Sequence, residues 1–496
     1  MSVSAGFAVR RGTQRLEPDR SRVITRMFVP GQEGFDHQDS RTAAVVARLL
    51  ALHDDEVTAT LDAVVTRFGG RHRDLLGTFE HHAAAVADRL DPGCELSEQR
   101  RLLLGAIFTS EYAVEGAALC NPSMVAHPDQ SGVPVGGLRF VMSVRGVGEG
   151  HQSSIGFRTG TIDAAGQASI DPLPQFTVVG TTGAVALEAA TFRSELDRLD
   201  SHGENADYVL DALGERFSGE ALEARLRELQ ANLTTRRYAE RTIDVIRGVA
   251  ERAYRVEFPA DTSLAERVLW PAMSAECRGM EDARFVRFTD DDGSISYCAT
   301  YTAYDGVHIS QQLLATSDFC TFTSSPLVGD AAVNKGIALF PRRVHGQFAA
   351  LSRWDRESNS VAFSDNLRRW PSAQPVQLPA RAWEVLQLGN CGSPIETEAG
   401  WLVLTHGVGP MRTYSIGALL LDLDDPTVVL SRLQEPLLTP DRDEQDGYVP
   451  NVVYSCGALV HADTLVLPYG IGDAAIGIGT VAMPDLLAEL DRSRTR

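Results

Sequence analysis

The sequence lacks a long apolar run, a secretion signal and a surplus of positive charge. In its 496 residues, 46 Lys and Arg stand against 66 Asp and Glu, for a formal net charge of -20. A nucleic acid partner is not expected, because binding a phosphate backbone needs an excess of Lys and Arg. No stretch of about 18 apolar residues occurs, so no membrane span is predicted. The N-terminus has no apolar signal core, which favours a cytoplasmic location.

Cysteine is scarce and unpaired. The seven residues form no CxxC motif, and an odd number argues against a complete disulfide framework. We therefore expect mostly buried free thiols in a reducing compartment. The cysteines are Cys94, Cys120, Cys277, Cys298, Cys320, Cys391 and Cys456.

Several catalytic signatures are missing as well. The chain has no GxSxG, no P-loop and no GxGxxG before a helix. His81 and His82 are adjacent on a predicted helix without a third ligand nearby, so zinc is not expected. No metal or organic cofactor is predicted.

Two stretches have the periodicity of helices. In residues 41 to about 118, apolar side chains recur at helical spacing, and Ser97 is predicted to cap the last run, residues 102–114. We predict an N-terminal helical region over 1–118 and a helical insertion over 184–255. Exposed helical additions of this kind also favour self-association into a homo-oligomer.

The remainder, within residues 119–496, predicts β structure with a weak internal repeat. Five segments each run from a short apolar strand through a polar or glycine turn into a second strand. Five such units predict a mainly β fold, a five-bladed β-propeller that forms the catalytic domain; the alternative is an irregular β-sandwich. The segments begin at Leu138, Ile295, Gly346, Gly400 and Asp463.

In each repeat the first apolar strand runs into a polar position. Radial repetition brings equivalent positions around one axis, so these residues are expected to line one pocket. They are Arg145, Tyr301 to Tyr304, Arg353, His406 and Asp473.

The segment GMEDARFVRF, residues 279–288, supplies the candidate acid. Glu281, Asp282 and Arg284 precede a strand, and a carboxyl at a pocket rim can protonate a leaving oxygen. We expect Arg284 to orient the Asp282 carboxyl and enclosure to raise its pKa. The alternative is an ordinary surface ion pair.

Lys335, Arg353 and His406 are candidates for an anion site. Each alone is more often structural, but three cationic or donor groups at equivalent strand ends would hold phosphate. Asp473 and Glu444 stand in glycine-containing turns. Their carboxylates either accept hydrogen bonds from sugar hydroxyls or simply form the turns.

Ordered motifs over residues 120–183 and 256–490 resemble glycoside hydrolase family 130, the β-mannoside phosphorylases and mannosidases. Two motifs depart from the family pattern, with Ala283 in place of proline and Gly336 in place of aspartate. The motifs are Asn121-Pro122, Glu281-Asp282-Ala283-Arg284, Tyr301-Thr302-Ala303, Asn334-Lys335-Gly336, Leu339-Phe340-Pro341, Gly392-Ser393-Pro394-Ile395, Gly400-Trp401, His406-Gly407, Leu420-Leu421-Asp422 and Pro450-Asn451-Val452-Val453.

The resemblance implies a five-bladed propeller with its site in the central cavity. It implies that Asp282 is the general acid, acting through the mannose 3-hydroxyl, and that Lys335, Arg353 and His406 bind phosphate. The residues that it implies to hold the sugar are Asn121, Arg145, Ser154, Glu444 and Asp473, with Arg284 and Tyr301 as further candidates from the motifs.

The basic residues favour phosphorolysis over hydrolysis. An inverting hydrolase needs a second carboxylate to activate water, whereas phosphate is already an anionic nucleophile. The leading hypothesis is an inverting phosphorylase that turns a manno-oligosaccharide, β-1,2- or β-1,4-linked, and inorganic phosphate into α-mannose 1-phosphate; β-1,2 linkages are favoured. The alternatives are a β-mannosidase and a non-catalytic glycan-binding propeller.

Overall fold

The computed structural model describes residues 9–30, 41–87, 90, 95–199, 201, 203–231 and 239–493. This part of the chain is mainly β. It contains no helix that is long and apolar enough to cross a membrane.

The helices of the described ranges fall into two groups and a C-terminal helix. They are α1 (Arg41–Leu50), α2 (Asp54–Phe68), α3 (Leu75–Ala85), α4 (Glu98–Ile107), α5 (Ala189–Arg198), α6 (Glu204–Leu210), α7 (Gly219–Ala231), α8 (Ala239–Glu251) and α9 (Met483–Arg492).

The strands of the first half are β1 (Arg10–Leu16), β2 (Val23–Met27), β3 (Thr109–Ala113), β4 (Ala118–Ala126), β5 (Leu138–Val147), β6 (Ser153–Ile162), β7 (Ala168–Ile170), β8 (Val178–Val179), β9 (Thr181–Gly183), β10 (Leu187–Glu188), β11 (Arg216–Phe217), β12 (Tyr254–Glu257) and β13 (Arg267–Leu269). Those of the second half are β14 (Gly279–Thr289), β15 (Ile295–Tyr304), β16 (Ile309–Thr316), β17 (Thr321–Pro326), β18 (Ala338–Leu339), β19 (Phe348–Ser352), β20 (Asn359–Ser364), β21 (Gln374–Gln377), β22 (Gln387–Asn390), β23 (Ile395–Thr397), β24 (Gly400–Val408), β25 (Tyr414–Leu421), β26 (Val429–Arg432), β27 (Val453–Tyr454), β28 (Leu459–His461), β29 (Thr464–Ile471) and β30 (Ala475–Ala482).

Most strands form four larger sheets, and two small ribbons pair β2 with β3 and β10 with β11. One sheet runs β4-β5-β6-β14-β15-β16-β17-β12-β9, with β7, β8 and β13 attached. The others run β18-β19-β20-β21, β22-β24-β25-β26 and β27-β29-β30-β1. The first sheet has two antiparallel halves, because β6 meets β14 through a single parallel pair, Ser153 with Gly279.

The five predicted strand–turn–strand repeats are confirmed as antiparallel hairpins. They are β5–β6, β15–β16, β19–β20, β24–β25 and β29–β30. Strand β24 is buried along its whole length, as expected for a strand covered on both faces.

The predicted N-terminal helical region is only partly helical. Ser97 caps α4 as predicted, because its side chain accepts a hydrogen bond from the amide of Arg100. The predicted run over 102–114, however, ends at Ile107 and continues as β3, which pairs with β2. Strand β1 pairs with β30, so the N-terminal segment completes the last sheet.

The predicted insertion contains helices α5 to α8. Their apolar faces pack on one another in a cluster of their own, which includes Phe192, Leu226 and Ile246. Leu222, Leu226 and Leu229 recur at helical spacing and are buried there; Leu233, the next leucine of this series, lies outside the described residues. The six described cysteines are free and four of them are buried, as predicted; Cys94 lies outside the described residues.

Candidate active site

Two β-bulges shape the centre of the site. The pairing of β14 with β15 shifts around Asp282, whose φ is 56°, and the pairing of β4 with β5 shifts around Asn121, whose φ is 49°. The bulges are neighbours, because the hydroxyl of Ser123 accepts a hydrogen bond from the amide of Phe285 at 3.0 Å. Such backbone costs a non-glycine residue on the order of 1–3 kcal/mol and clusters at functional sites. A bulge also re-aims side chains that strict alternation would separate.

Glu281 and Asp282 face the same cation. Arg145 donates from Nη2 to Glu281 Oε1 at 2.7 Å, and its Nη1 lies 3.6 Å from Asp282 Oδ1. Lys335 Nζ donates to the other oxygen of Glu281. Within the described chain, the buried Oδ1 atoms of Asp282 and Asn121 accept no hydrogen bond. Since buried polar atoms are nearly always satisfied, these oxygens are the ones that a ligand would engage.

Arg284 is buried directly behind the bulge. Its Nη1 donates to the main-chain oxygen of Asp282 at 2.9 Å, and its Nη2 donates to the hydroxyl of Tyr454 at 2.8 Å. The same Nη2 lies 4.0 Å from Asp282 Oδ2. Arg284 therefore supports the backbone of Asp282 as well as facing its carboxylate.

Arg353 and its neighbour His406 form the second part of the site. Arg353 Nη1 donates to His406 Nε2 at 3.0 Å, and His406 Nδ1 lies 3.1 Å from the main-chain oxygen of Asn390. Nδ1 therefore carries the proton and Nε2 accepts. Gly389 makes room for the pair, because a Cβ there would lie 2.5 Å from His406 Cε1. Arg353 Nε is buried and has no hydrogen-bond partner in the described residues, so it can still donate.

His406 is neutral in this arrangement. Burial, with the charges of Arg353 and Arg284, lowers the pKa of His406 well below its ordinary value. In this arrangement the Nε2 of His406 is an acceptor that orients Arg353, and the contact of His406 with phosphate stays a prediction.

The acid candidate also differs from its sequence-based expectation. Burial raises the pKa of Asp282, but Arg284, Arg145, Lys335 and Arg353 outweigh that effect and hold the pKa below its ordinary value. The expectation of a raised pKa is therefore wrong for the protein without ligand, because four cations outweigh desolvation.

Asp473 contributes to the same field of charges from the turn between β29 and β30. Burial raises the pKa of Asp473 to about 6; Arg145 and Arg412 oppose the shift, whereas Asp282 and Glu281 add to it. Asp473 has a φ of 48°, which makes it a third non-glycine residue with left-handed backbone in this group.

Tyr301 does not join these residues. Its hydroxyl bonds to Glu276 and lies 2.8 Å from Ser324 Oγ and 3.4 Å from the hydroxyl of Tyr254, all in the buried core. Tyr304, three residues later, has its ring centroid 6.0 Å from Lys335 Nζ. Within the predicted stretch 301–304, Tyr304 is therefore the residue that the structure places beside the site.

Glu444 and Ser154 also lie apart from the central group. Glu444 is held by Arg11 of β1 at 3.0 and 3.1 Å and by the hydroxyl of Tyr469 at 2.7 Å. Ser154 pairs with Gly146, one position away from Arg145, so strand alternation places it on the opposite face. Their predicted contact with a sugar has no support in this geometry.

Sequence reasoning missed two members of the group. Tyr454 bonds Arg284 and packs its ring 4.8 Å from that of His406. Asn390 supplies the acceptor that sets the His406 tautomer. Tyr454 directly follows the motif Pro450-Asn451-Val452-Val453, which was the available signal; Asn390 had none, because it acts through its main chain.

The contact between His406 and Arg353 leads to a prediction. Replacing His406 by Phe keeps an aromatic ring between its neighbours but removes the acceptor that orients Arg353. A hydrogen bond to a charged group contributes about 1.5–3 kcal/mol, so an approximately tenfold or larger rise in KM for phosphate is expected. Steady-state kinetics with varied phosphate measure it, and an unchanged KM for phosphate would refute the orienting role.

Comparisons with known proteins identify the family. The model of glycoside hydrolase family 130, described as beta-1,4-mannooligosaccharide phosphorylase, matches residues 240–492. The chain belongs to this family, as its motifs predicted.

Relatives and solved structures carry related names. A 1,2-beta-oligomannan phosphorylase of Thermoanaerobacter sp. is 37% identical over 221 residues, 42% of this chain and 71% of the relative. A beta-1,4-mannooligosaccharide phosphorylase of Ruminococcus albus is 31% identical over 215 residues, 41% of this chain and 62% of the relative. The solved beta-1,2-mannobiose phosphorylase of Listeria innocua, in complex with beta-1,2-mannobiose, covers 77% of this chain and 94% of its own, with 22% identity and a TM-score of 0.46.

Proposed function

We propose that this protein is an inverting phosphorylase that cleaves a β-mannoside with inorganic phosphate and releases α-mannose 1-phosphate. The single observation that carries the proposal is the arrangement of charges around Asp282. One buried carboxylate oxygen of Asp282 accepts no hydrogen bond from the described residues, and Arg145, Lys335 and Arg353 supply positive charge around it.

The reaction needs only these groups and the two substrates. Phosphate, held by Lys335 and Arg353, attacks C1 of the mannosyl unit while the bond from C1 to the leaving oxygen breaks. Asp282 supplies the proton that ends on the leaving oxygen, through the mannose 3-hydroxyl. Asn121, Arg145 and Asp473 are proposed to hold the mannosyl unit, with Arg284 behind the acid.

Hydrolysis is the second candidate, and one observation favours it. A pKa of about 6 leaves Asp473 able to accept a proton near neutral pH, as a water-activating base would. Phosphorolysis is preferred because Lys335 and Arg353 would hold a nucleophile that already carries negative charge.

The linkage is proposed to be β-1,2. The 37%-identical relative carries a β-1,2 name, although another family member carries a β-1,4 name. Both mannobioses therefore belong in the first assay.

The requirement for phosphate tests the proposed function. Incubation of the protein with β-1,2- or β-1,4-mannobiose and phosphate is expected to yield mannose 1-phosphate and mannose in equal amounts. Without phosphate, turnover is expected to stop, because no other nucleophile is held in line with C1. Equal release of free mannose in phosphate-free buffer would reject the phosphorylase and favour the mannosidase.

The sheets are further proposed to be five blades around one axis, within a catalytic domain over 119–496 that β1 completes. A cavity of about 530 Å³ supports this arrangement, because residues from every proposed blade line it. They include Val125, Phe285, Pro341, Ile395 and Val460. The ends also meet: Cys456 donates its amide to the main-chain oxygen of Pro122 at 2.8 Å, which links the last blade to the first.

A further inference from the structure

Glu281 occupies a position that the proposed reaction does not use. It directly precedes the acid candidate, and in an ordinary strand the two side chains would point to opposite faces. The bulge around Asp282 cancels this alternation, and both carboxylates reach Arg145. Two consecutive acidic residues thus face one arginine.

The two carboxylates differ in what they contact. Glu281 is 6% exposed, and its oxygens accept from Arg145 at 2.7 Å and from Lys335. Asp282 Oδ1 accepts no hydrogen bond from the described residues. Glu281 therefore accepts the hydrogen bonds of two cations that would otherwise be available to Asp282.

Glu281 also connects two parts of the chain that lie far apart in sequence. Arg145 lies near the end of β5, on the proposed sugar side. Lys335 lies in the loop before β18, on the proposed phosphate side. The side chains of both residues are partly exposed, Lys335 by 36% and Arg145 by 21%. The carboxylate of Glu281 bonds to both side chains and so fixes the position of one relative to the other.

We propose that Glu281 is a positioning residue that fixes Lys335 and Arg145 relative to each other. Phosphate is then aligned for attack on the mannosyl unit, while an oxygen of Asp282 stays free of protein hydrogen bonds. This role rests on the proposed function, because it assigns the two cations to the two substrates. Positioning errors of about 1 Å can cost on the order of 100-fold in rate.

Glu281 has an electrostatic effect as well. Its negative charge opposes the cations that act on Asp282, so its removal leaves the carboxylate of Asp282 more strongly stabilised in its ionised form. A general acid is active while protonated, and activity falls as pH rises through its pKa. Loss of the Glu281 charge therefore moves the basic limb of the pH profile to lower pH. The ionisable groups that face Asp282 are Arg145, Arg284, Lys335, Arg353, Glu281, Asp473, Tyr454, Cys120 and Cys456.

Three variants test the proposal in the full-length protein. Glu281→Gln removes the charge, Glu281→Asp keeps the charge but shortens the reach, and Glu396→Gln is the control. Glu396 also pairs with an arginine, Arg342 at 2.6 Å, but its side chain is 43% exposed and forms no hydrogen bond with Asp282 within the described residues. Wild-type protein is assayed first for mannose 1-phosphate, so that failure of the proposed function is seen before any variant is compared.

The expected result separates positioning from folding. Glu281→Gln should lower kcat at least about tenfold, while KM for phosphate stays within about threefold or falls, because the pocket gains net positive charge. Its basic pH limb should move to lower pH. Glu281→Asp should lose part of kcat without that movement, and Glu396→Gln should match wild type.

Three outcomes would overturn the proposal. These are a kcat of Glu281→Gln within twofold of wild type, an unchanged pH limb, and a loss explained by a raised KM for phosphate. If Glu281→Gln does not fold, Glu281→Asp decides. An unchanged kcat in that variant would show that the carboxylate does not need the length of glutamate to contact Lys335 and Arg145.

Discussion

Replacing Asp282 by Asn is expected to lower kcat on a natural mannobiose at least about 100-fold, in line with the 10²–10⁴-fold that general acid catalysis contributes. The amide keeps the shape of the side chain at the bulge but has no acidic proton to give to the leaving oxygen. Circular dichroism should show an unchanged fold, because Arg284 bonds the main chain of residue 282 and that contact remains.

An activated leaving group provides the control for this variant. A mannoside whose aglycone leaves without protonation should be cleaved by Asp282→Asn at a rate closer to that of wild type. Near-normal turnover of a natural mannobiose by the variant would instead assign the acid role to Asp473 or Glu281.

The same residue should give two different pH profiles. Four cations lower the pKa of Asp282 in the protein without ligand. Bound phosphate adds negative charge beside Lys335 and Arg353, which raises this pKa again. Activity is lost as pH rises through the pKa of the acid. The basic limb of kcat should therefore lie at higher pH than that of kcat/KM for phosphate, which reports the enzyme before phosphate binds.

Replacing Arg353 by Met is expected to reduce kcat/KM for phosphate by about 100-fold, since hydrogen bonds to charged groups contribute about 1.5–3 kcal/mol each. Methionine keeps much of the apolar stem but removes both the contact to His406 and the unpartnered Nε. KM for the mannobiose should change little, because Arg353 lies on the proposed phosphate side.

Two further variants serve as comparisons for Arg353→Met. Arg353→Lys keeps the charge without the fork and should fall between wild type and Arg353→Met. Arg342→Met removes a partly exposed arginine that pairs with Glu396 and does not contact Asp282 in any described ion pair, and it should leave both KM values unchanged. An Arg353→Met variant with normal use of phosphate would move the anion site elsewhere.

Patterns along the chain were sufficient to predict the hairpins and the family. Alternating apolar residues around polar turns predicted all five hairpins, because strand geometry is encoded locally. The helical region was predicted less well: residues 109–113 form a strand because a partner strand, β2, is available more than 80 residues earlier. Pairing with a distant segment overrides a local preference.

Site residues divide along the same line. Asp282 was predicted from a motif, and Arg145 and Arg353 were predicted from their positions in the repeats; these three lie together. Tyr301 belongs instead to a buried core network and Glu444 to a contact with β1. No local pattern separates Tyr301 from Tyr304, because only the pairing of the strand decides which ring faces the site.

By itself, the sequence determined the family, the hairpin repeats and the residue types available for acid and anion chemistry. Tertiary structure decided their electrical state and their partners. The bulge around Asp282 directs two neighbouring carboxylates to the same side of the strand. Residues 145, 335 and 353 supply positive charge there from three separate segments. Burial keeps His406 neutral for the same reason: the free energy of a charge depends on the solvent and the charges around it, and these are set only when distant segments pack together.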